Sequence, residues 1–295
     1  MLAQSERQRF EMIVCDGAVR PDSLARAVRE GLTASRKRLP CRFFYDAEGS
    51  RLFEKITELP EYYLTRAGLE IMQERVAELV VRFPCGATLI ELGSGSSANT
   101  RILIGQFLGR DGWLRYIPVD ISRTILEESA RTLLAEFPGL EVQAVAGEYQ
   151  EAMAHLRQDF GRPKLILWLG SNIGNLDRPE AVGFLHRLRS LMASDDRLLV
   201  GIDLRKDRRV LEAAYDDAQG VTAQFNRNIL ARINRELGGE FDLSLFQHRA
   251  RYDEDAGRIE MHLVSKVAQT VRMAALDLTV QFGPREEIHT ENSYK

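Results

Sequence analysis

The chain is poor in cysteine: three residues in 295, Cys15, Cys41 and Cys85, lie far apart. An odd number at these spacings argues against a disulfide framework and matches no zinc or CxxC pattern. Free thiols in a reducing cytoplasm are the plain reading. The five histidines, His155, His186, His248, His262 and His289, share no ligand spacing, so no metal is expected. Long apolar runs are also missing, and none approaches the ~20 residues that cross a bilayer. The N-terminus lacks the basic-then-apolar order of a signal peptide. Charge of one sign is lacking too: 40 Lys and Arg face 43 Asp and Glu, for a net charge of -3. No basic field is available for a nucleic-acid backbone. The short run Arg36-Lys37-Arg38 is expected to be a solvated helix end. These absences leave a cytoplasmic chain with no membrane or nucleic-acid partner. They do not fix the oligomeric state, for which a monomer is favoured.

What is present is a regular alternation of apolar strands and amphipathic helices. Residues 1–20 are weakly patterned. A helix is expected over Asp22–Ser35, a shorter one over Ser50–Glu58 and a long one over Ala67–Phe83. Strands then follow at Thr88–Leu92, Arg115–Asp120, Leu140–Ala146, Lys164–Leu169 and Arg197–Asp203. Helices separate them at Asn99–Leu108, Thr124–Phe137, Gln150–Phe160 and Pro179–Met192. This order predicts a parallel sheet covered on both faces. After Asp203 the rhythm changes to a helical stretch, Arg208–Leu237, broken near Gln219-Gly220, and then to strands. The expected fold class is α/β: a Rossmann-like core, residues 67–204, with a second α+β domain built from both flanks, 14–66 and 205–295.

The first strand ends in Glu91-Leu92-Gly93-Ser94-Gly95-Ser96-Ser97-Ala98. Glycines there let the backbone approach a ligand without an intervening Cβ. The loose G-x-G-x-x-A pattern is weak evidence alone. The second strand ends at Asp120, where a carboxylate can accept from ribose hydroxyls. A helix N-cap or a solvated strand end would explain Asp120 as simply. A dinucleotide would bring a pyrophosphate to the helix N-terminus. Adenosylmethionine has none, and the acidic residue inside the strand end favours it. Glu148 or Tyr149, after the third strand, could meet an adenine amine, although an ordinary turn also fits. Gly170-Ser171-Asn172-Ile173-Gly174-Asn175 follows the very apolar fourth strand, and small polar residues there have no packing reason. Asn175 offers a donor and an acceptor to an amino acid.

Longer motifs occur in order along the chain. They include Phe44-Tyr45-Asp46, Leu59-Pro60-Glu61-Tyr62-Tyr63, Glu91-Leu92-Gly93-Ser94-Gly95, Gly170-Ser171 with Asn175, Tyr215-Asp216-Asp217, Phe225-Asn226-Arg227-Asn228, Arg258-Ile259-Glu260-Met261 and Thr290-Glu291 with Ser293. Together they resemble the L-histidine Nα-methyltransferases of ergothioneine biosynthesis, from about residue 22 onward. The resemblance implies successive methyl transfers from S-adenosyl-L-methionine to the α-amino group of histidine, giving hercynine. It implies that Gly93 and Asp120 hold the cofactor, beside Ser94, Gly95, Glu148 and Tyr149 from the local reading of the turns. Gly170, Asn175 and Tyr215 would hold the amino acid, and Tyr45 and Tyr62 would line its pocket. Met261, Glu291 and Ser293 would surround the imidazole, with Glu291 and Ser293 bonding its nitrogen. The family usually has Asp where this chain has Glu148. It also continues for a strand-helix-strand stretch beyond the position of Lys295.

The local pattern alone reads several of these residues differently. Tyr45, Tyr62 and Met261 would be core, and Glu291, between Thr290 and Asn292 on a strand, would face solvent. No histidine stands at a motif position suited to a base, so Tyr45 is the candidate hydrogen-bond partner or proton relay for the amine. The alternatives are a methyltransferase of another amino acid and a non-catalytic adenosylmethionine-binding protein. A nicotinamide-dependent dehydrogenase ranks behind both.

Overall fold

The computed structural model describes residues 9–15, 21–149, 152–153 and 161–295. In chain order its strands are β1 (Phe10–Val14), β2 (Thr88–Leu92), β3 (Leu114–Asp120), β4 (Leu140–Ala146), β5 (Lys164–Trp168), β6 (Arg197–Val200), β7 (Phe246–Asp253), β8 (Arg258–Ser265), β9 (Gln269–Met273), β10 (Leu278–Phe282) and β11 (Glu287–Tyr294). Its described α-helices are α1 (Pro21–Thr33), α2 (Ala47–Thr57), α3 (Leu64–Val81), α4 (Thr100–Asp111), α5 (Arg123–Glu136), α6 (Arg178–Leu191), α7 (Arg208–Ala213) and α8 (Val221–Leu237). The helix expected over Gln150–Phe160 lies largely outside the described residues. The chain forms two compact units, one from the N-terminal residues with Leu64–Ile202, the other from the segment up to Tyr63 with Asp203–Lys295.

The first unit carries a six-stranded sheet in the order β1-β4-β3-β2-β5-β6, with parallel pairing throughout. Every residue of β2 and β5 is buried, which explains why TLIEL and KLILW read as continuous apolar runs instead of alternating ones. Alternate side chains feed two cores. Leu89, Tyr116, Val142, Leu165 and Leu167 enter one, and Ile90, Val119, Val145, Ile166 and Trp168 the other. The strand order reverses between β2 and β5, so the loops leaving their carboxyl ends flank a topological switch point, the usual ligand crevice of such sheets.

Two details depart from the sequence reading. Phe10–Val14, in a segment without a clear pattern, is a strand that pairs with β4 at the sheet edge. Arg9 beside it donates to the carbonyl oxygens of Leu134 (3.0 Å), Phe137 (3.0 Å) and Leu140 (2.9 Å), contacts no local pattern can announce. The strand expected over Arg197–Asp203 ends at Val200.

The second unit holds a three-stranded antiparallel sheet, β11-β8-β7, and a two-stranded one, β10-β9. Motif residues build its frame. Asp46 accepts from the Gly49 backbone at 2.7 Å as the N-cap of α2, and also from Asn228 (2.8 Å) and Arg235 (2.5 Å) of α8. Those partners hold its carboxyl below its ordinary range, although burial pushes the other way. Asp217 caps α8, accepting from Val221 (2.9 Å) and Thr222 (2.7 Å). Asn226 donates to the His262 carbonyl (3.1 Å) and to His248 Nδ1 (2.8 Å), which leaves His248 Nε2–H to donate to the Tyr215 carbonyl (2.8 Å). Burial lowers the His248 pKa and so favours this neutral tautomer. The frame therefore fixes the backbone of Tyr215. Lys37 is not solvated: its ammonium pairs with Glu286 and lies 5.2 Å from the Phe282 ring centre.

The register of β11 sets its functional face. His289 pairs with His262, but Glu291 pairs with Met261, so Thr290 is an extra residue, a β-bulge. A strand alternates its side chains, and an inserted residue swaps the faces beyond it. Glu287 and His289 thus share a face with His262, whereas Glu291 and Ser293 share one with Met261 and Ile259. The Thr290 hydroxyl secures the bulge by donating to the Met261 carbonyl at 3.0 Å.

Candidate active site

In the first unit the glycine turn is stitched to β3. Gly93 and Ser94 donate their backbone N–H groups to the Val119 carbonyl, at 2.8 and 3.1 Å. Gly95 N–H donates to Asp120 Oδ2 at 3.0 Å, and Ser122 N–H donates to Oδ1 at 2.9 Å. Burial raises the Asp120 pKa, and these amides oppose that shift. The carboxylate is aimed by two backbone bonds, with further lone pairs left for a ligand. Asp120 is thus not the N-cap of α5, which is Ser122.

Gly93 adopts φ +71°, and a Cβ there would stand 2.5 Å from Asn172 Nδ2 and 2.6 Å from the Tyr149 hydroxyl. That space belongs to backbone alone. Asn172, from the loop after β5, donates to the carbonyl of Gly93 at 3.3 Å and so joins the two switch-point loops. Gly170 and Ser171 are both left-handed, with φ +65° and +60°, and Asn175 ends the short 3-10 turn that follows. The Ser94 hydroxyl is buried without a hydrogen-bond partner among the described residues. Glu148 and Tyr149 follow β4, and the Tyr149 ring packs edge-on to Trp168 and Phe184.

Glu91 was not among the expected site residues, although its motif was read. It is buried in β2 and accepts from Thr100 at 2.6 Å and from the Tyr116 hydroxyl. Burial pushes its carboxyl up to about 7, against the pull of those two hydroxyls.

The second unit brings together Tyr45, Tyr62, Tyr215, Met261, Glu291 and Ser293. Tyr45 meets Phe53 edge-on with ring centres 5.7 Å apart, Phe53 meets Tyr62 at 6.3 Å, and Tyr62 meets Tyr215 at 6.1 Å. The Tyr215 hydroxyl and Ser293 Oγ are 2.7 Å apart. Glu291 is 9% exposed and pairs directly opposite Met261. Burial pushes it up to about 7, with the Lys295 ammonium pulling down. Burial first, and then the charge of Glu291 among other neighbours, raises Tyr62, Tyr215 and the Cys41 thiol, the last to about 12. Lys295 and Asp203, which sequence reading passed over, join this group through a 3.0 Å ion pair. A period-two count from Glu291 through Ser293 reaches Lys295 and was available in the sequence.

A buried acid beside a hydroxyl pair in an aromatic surround suits a small ligand that is aromatic and polar. A profile described as a histidine-specific, SAM-dependent methyltransferase matches residues 24–295. The chain belongs to this family. It is 47% identical to the histidine N-alpha-methyltransferase of Mycolicibacterium smegmatis, covering 93% of this chain and 84% of that one. Its identity to the protein so named in Mycobacterium tuberculosis is 46%, covering 92% and 84%. Ergothioneine biosynthesis protein 1 of Schizosaccharomyces pombe is 31% identical, covering 90% of this chain and 36% of that one. The family's cofactor is S-adenosylmethionine. The first unit fits it: it has a turn where a Cβ would collide, a buried hydroxyl without a partner, and a carboxylate aimed by backbone amides. No metal-binding group of His, Cys, Asp or Glu occurs among the described residues. No described helix is long and apolar enough to cross a membrane.

Two outcomes follow from this geometry. Gly93→Ala should weaken adenosylmethionine binding at least about tenfold, because the methyl group must displace Asn172 or Tyr149; calorimetry reads this, and unchanged affinity contradicts it. The folded protein also holds the Glu91 proton more tightly than the unfolded chain. The stability this contributes is complete below 4.5 and is lost as the pH rises through about 7. Urea titrations between about pH 5 and 8 should show wild type losing ground to Glu91→Gln, by ~1.4 kcal/mol per unit of pKa displacement. A pH-independent difference contradicts this.

Proposed function

We propose that this chain transfers methyl groups from S-adenosylmethionine to the α-amino nitrogen of L-histidine. The product is Nα,Nα,Nα-trimethylhistidine, hercynine, on the route to ergothioneine. The observation that carries the reading is the burial of Glu291 opposite Met261, which pushes its carboxyl up to about 7. Burying a carboxylate is costly unless something bonds to it. An imidazole N–H supplies that bond, and an apolar aromatic side chain does not. A polar site of this kind discriminates between ligands better than an apolar pocket can. The names of the mycobacterial relatives point the same way.

The residues divide by chemistry. Gly93, Ser94, Gly95 and Asp120 are assigned to the cofactor, with Glu148 or Tyr149 at its adenine. When bound, adenosylmethionine supplies a methyl group already activated on a sulfonium. The chain's own task is then positioning. Asn175, with Gly170, is assigned to the amino acid backbone, as is Tyr215. Glu291 and Ser293 are assigned to the imidazole, and Met261, Tyr45 and Tyr62 to the lining. In this reading the unit built on Leu64–Ile202 is the methyltransferase domain, and the one from the segment up to Tyr63 with Asp203–Lys295 is the substrate domain.

The nucleophile must be a neutral amine, so the histidine ammonium must lose a proton. Tyr62 and Tyr215 have phenols pushed above their ordinary value by burial, so both stay protonated at neutral pH. They hydrogen-bond; they do not act as bases. Tyr45 is the remaining phenol of the group and is assigned the contact with the amine.

Incubation with adenosylmethionine and each of the common amino acids, read by product mass, tests the reading. Histidine should gain up to three methyl groups. Glu291→Ala should raise the histidine KM by about tenfold or more, since a hydrogen bond to a charged group is worth ~1.5–3 kcal/mol. Methylation of a different amino acid with none on histidine would sink the reading. Cofactor binding without turnover on any amine would favour a non-catalytic binding protein.

A further inference from the structure

Lys295 is a buried cation that the proposed contacts leave without a role. Its side chain is 0% exposed, and its ammonium has three acceptors at 3.0 Å: Asp203 Oδ2, the Tyr215 hydroxyl and Ser293 Oγ. An ammonium has three protons, so this set uses all of them. Asp203 is itself braced, accepting from the Tyr63 hydroxyl and from the Lys206 ammonium, each at 2.5 Å, and from the Leu204 N–H at 2.8 Å. Burial pushes the Asp203 carboxyl up, but Lys295, Lys206 and Tyr63 together hold it below its ordinary range. The ammonium is therefore anchored on one side and aimed at two hydroxyl oxygens on the other.

The protons of the hydroxyl pair can then be counted. Tyr215 and Ser293 bring two O–H protons, and the 2.7 Å bond between the oxygens takes one. Lys295 occupies a lone pair on each oxygen, so the pair has one O–H proton left to donate. If Tyr215 donates to Ser293, the Ser293 oxygen has both lone pairs filled and its proton turns to the ligand. In the reverse arrangement the Tyr215 oxygen is filled and its proton does so. Glu291, two residues before Ser293 on the same face of β11, is an acceptor. A neutral imidazole carries one N–H donor and one bare nitrogen acceptor. A fixed donor beside a fixed acceptor matches it, and matches no apolar aromatic side chain.

We infer that Lys295, anchored by Asp203, is a positioning residue for substrate selection: it turns the Tyr215–Ser293 hydroxyl pair toward the ligand as a hydrogen-bond donor that complements Glu291. This rests on the histidine reading above. Lys295 also lies near enough to draw the Glu291 carboxyl back toward its ionised, accepting form.

The test is a double-mutant cycle on the full chain with saturating adenosylmethionine. Lys295→Met should raise the histidine KM by at least about tenfold, with kcat changed less than about threefold, as expected for lost binding that is uniform through the reaction. In a Ser293→Ala background the same substitution should raise KM by less than about threefold, because the member of the pair assigned to the imidazole is gone. Asp203→Asn, which keeps the ammonium and loosens its anchor, should give a smaller KM rise in the same sense. Equal KM rises in both backgrounds, or a loss confined to kcat or to cofactor affinity, overturn the inference. If melting curves show that Lys295→Met does not fold, Lys295→Gln in the two backgrounds gives the same comparison. Wild-type protein inert toward histidine rejects the histidine reading itself. Active wild type with additive KM effects rejects only the role of Lys295.

Discussion

One residue more than the ladder needs, Thr290, governs what the last strand presents. Unbroken alternation from Glu287 and His289 would put Glu291 on the polar face with His262. The bulge turns it to the other face, opposite Met261, where water is scarce. A carboxylate in such a place is expensive to ionise. Burial accordingly pushes Glu291 up to about 7, and the nearby ammonium of Lys295 resists that shift. An acid poised in this way gains most from a ligand that offers it an N–H. Backbone register, side-chain burial and the raised pKa of Glu291 are thus links in a single chain of cause.

The same economy of means appears around the parallel sheet, where backbone does the aiming. Asp120 owes its orientation to the amides of Gly95 and Ser122. The glycine turn owes its own shape to the Val119 carbonyl and to Asn172 from the neighbouring loop. Each strand end at the switch point is therefore tied to the next. A methyl donor that brings its own activation needs this rigidity more than it needs acids or bases.

Much of this was open to view in the sequence. The apolar runs of β2 and β5 and the 3.6-residue periods between strands gave the parallel sheet, because burial on both faces leaves an unmistakable pattern. The glycine turn and Asp120 were legible because each stands at the end of such a strand. Phe10–Val14 was not, since its strand character comes from distant partners, β4 and the carbonyls held by Arg9. Glu291 was misread by local pattern, which assigns a strand carboxylate between polar neighbours to solvent. The register shift at Thr290 is the physical reason it is buried instead. Several residues of the quoted motifs, Asp46, Asp217 and Asn226, serve as caps and struts that hold α2, α8 and the Tyr215 backbone. Lys295 escaped notice although simple alternation from Ser293 leads to it.

The central claim concerns a contact between one carboxylate and one heterocycle. A crystal structure of the protein with histidine and S-adenosylhomocysteine tests it most directly. The account predicts an imidazole nitrogen at ~2.7–3.2 Å from a Glu291 oxygen, within ordinary hydrogen-bonding range. An imidazole bound elsewhere, with the Glu291 carboxylate bonded only to water, would contradict it.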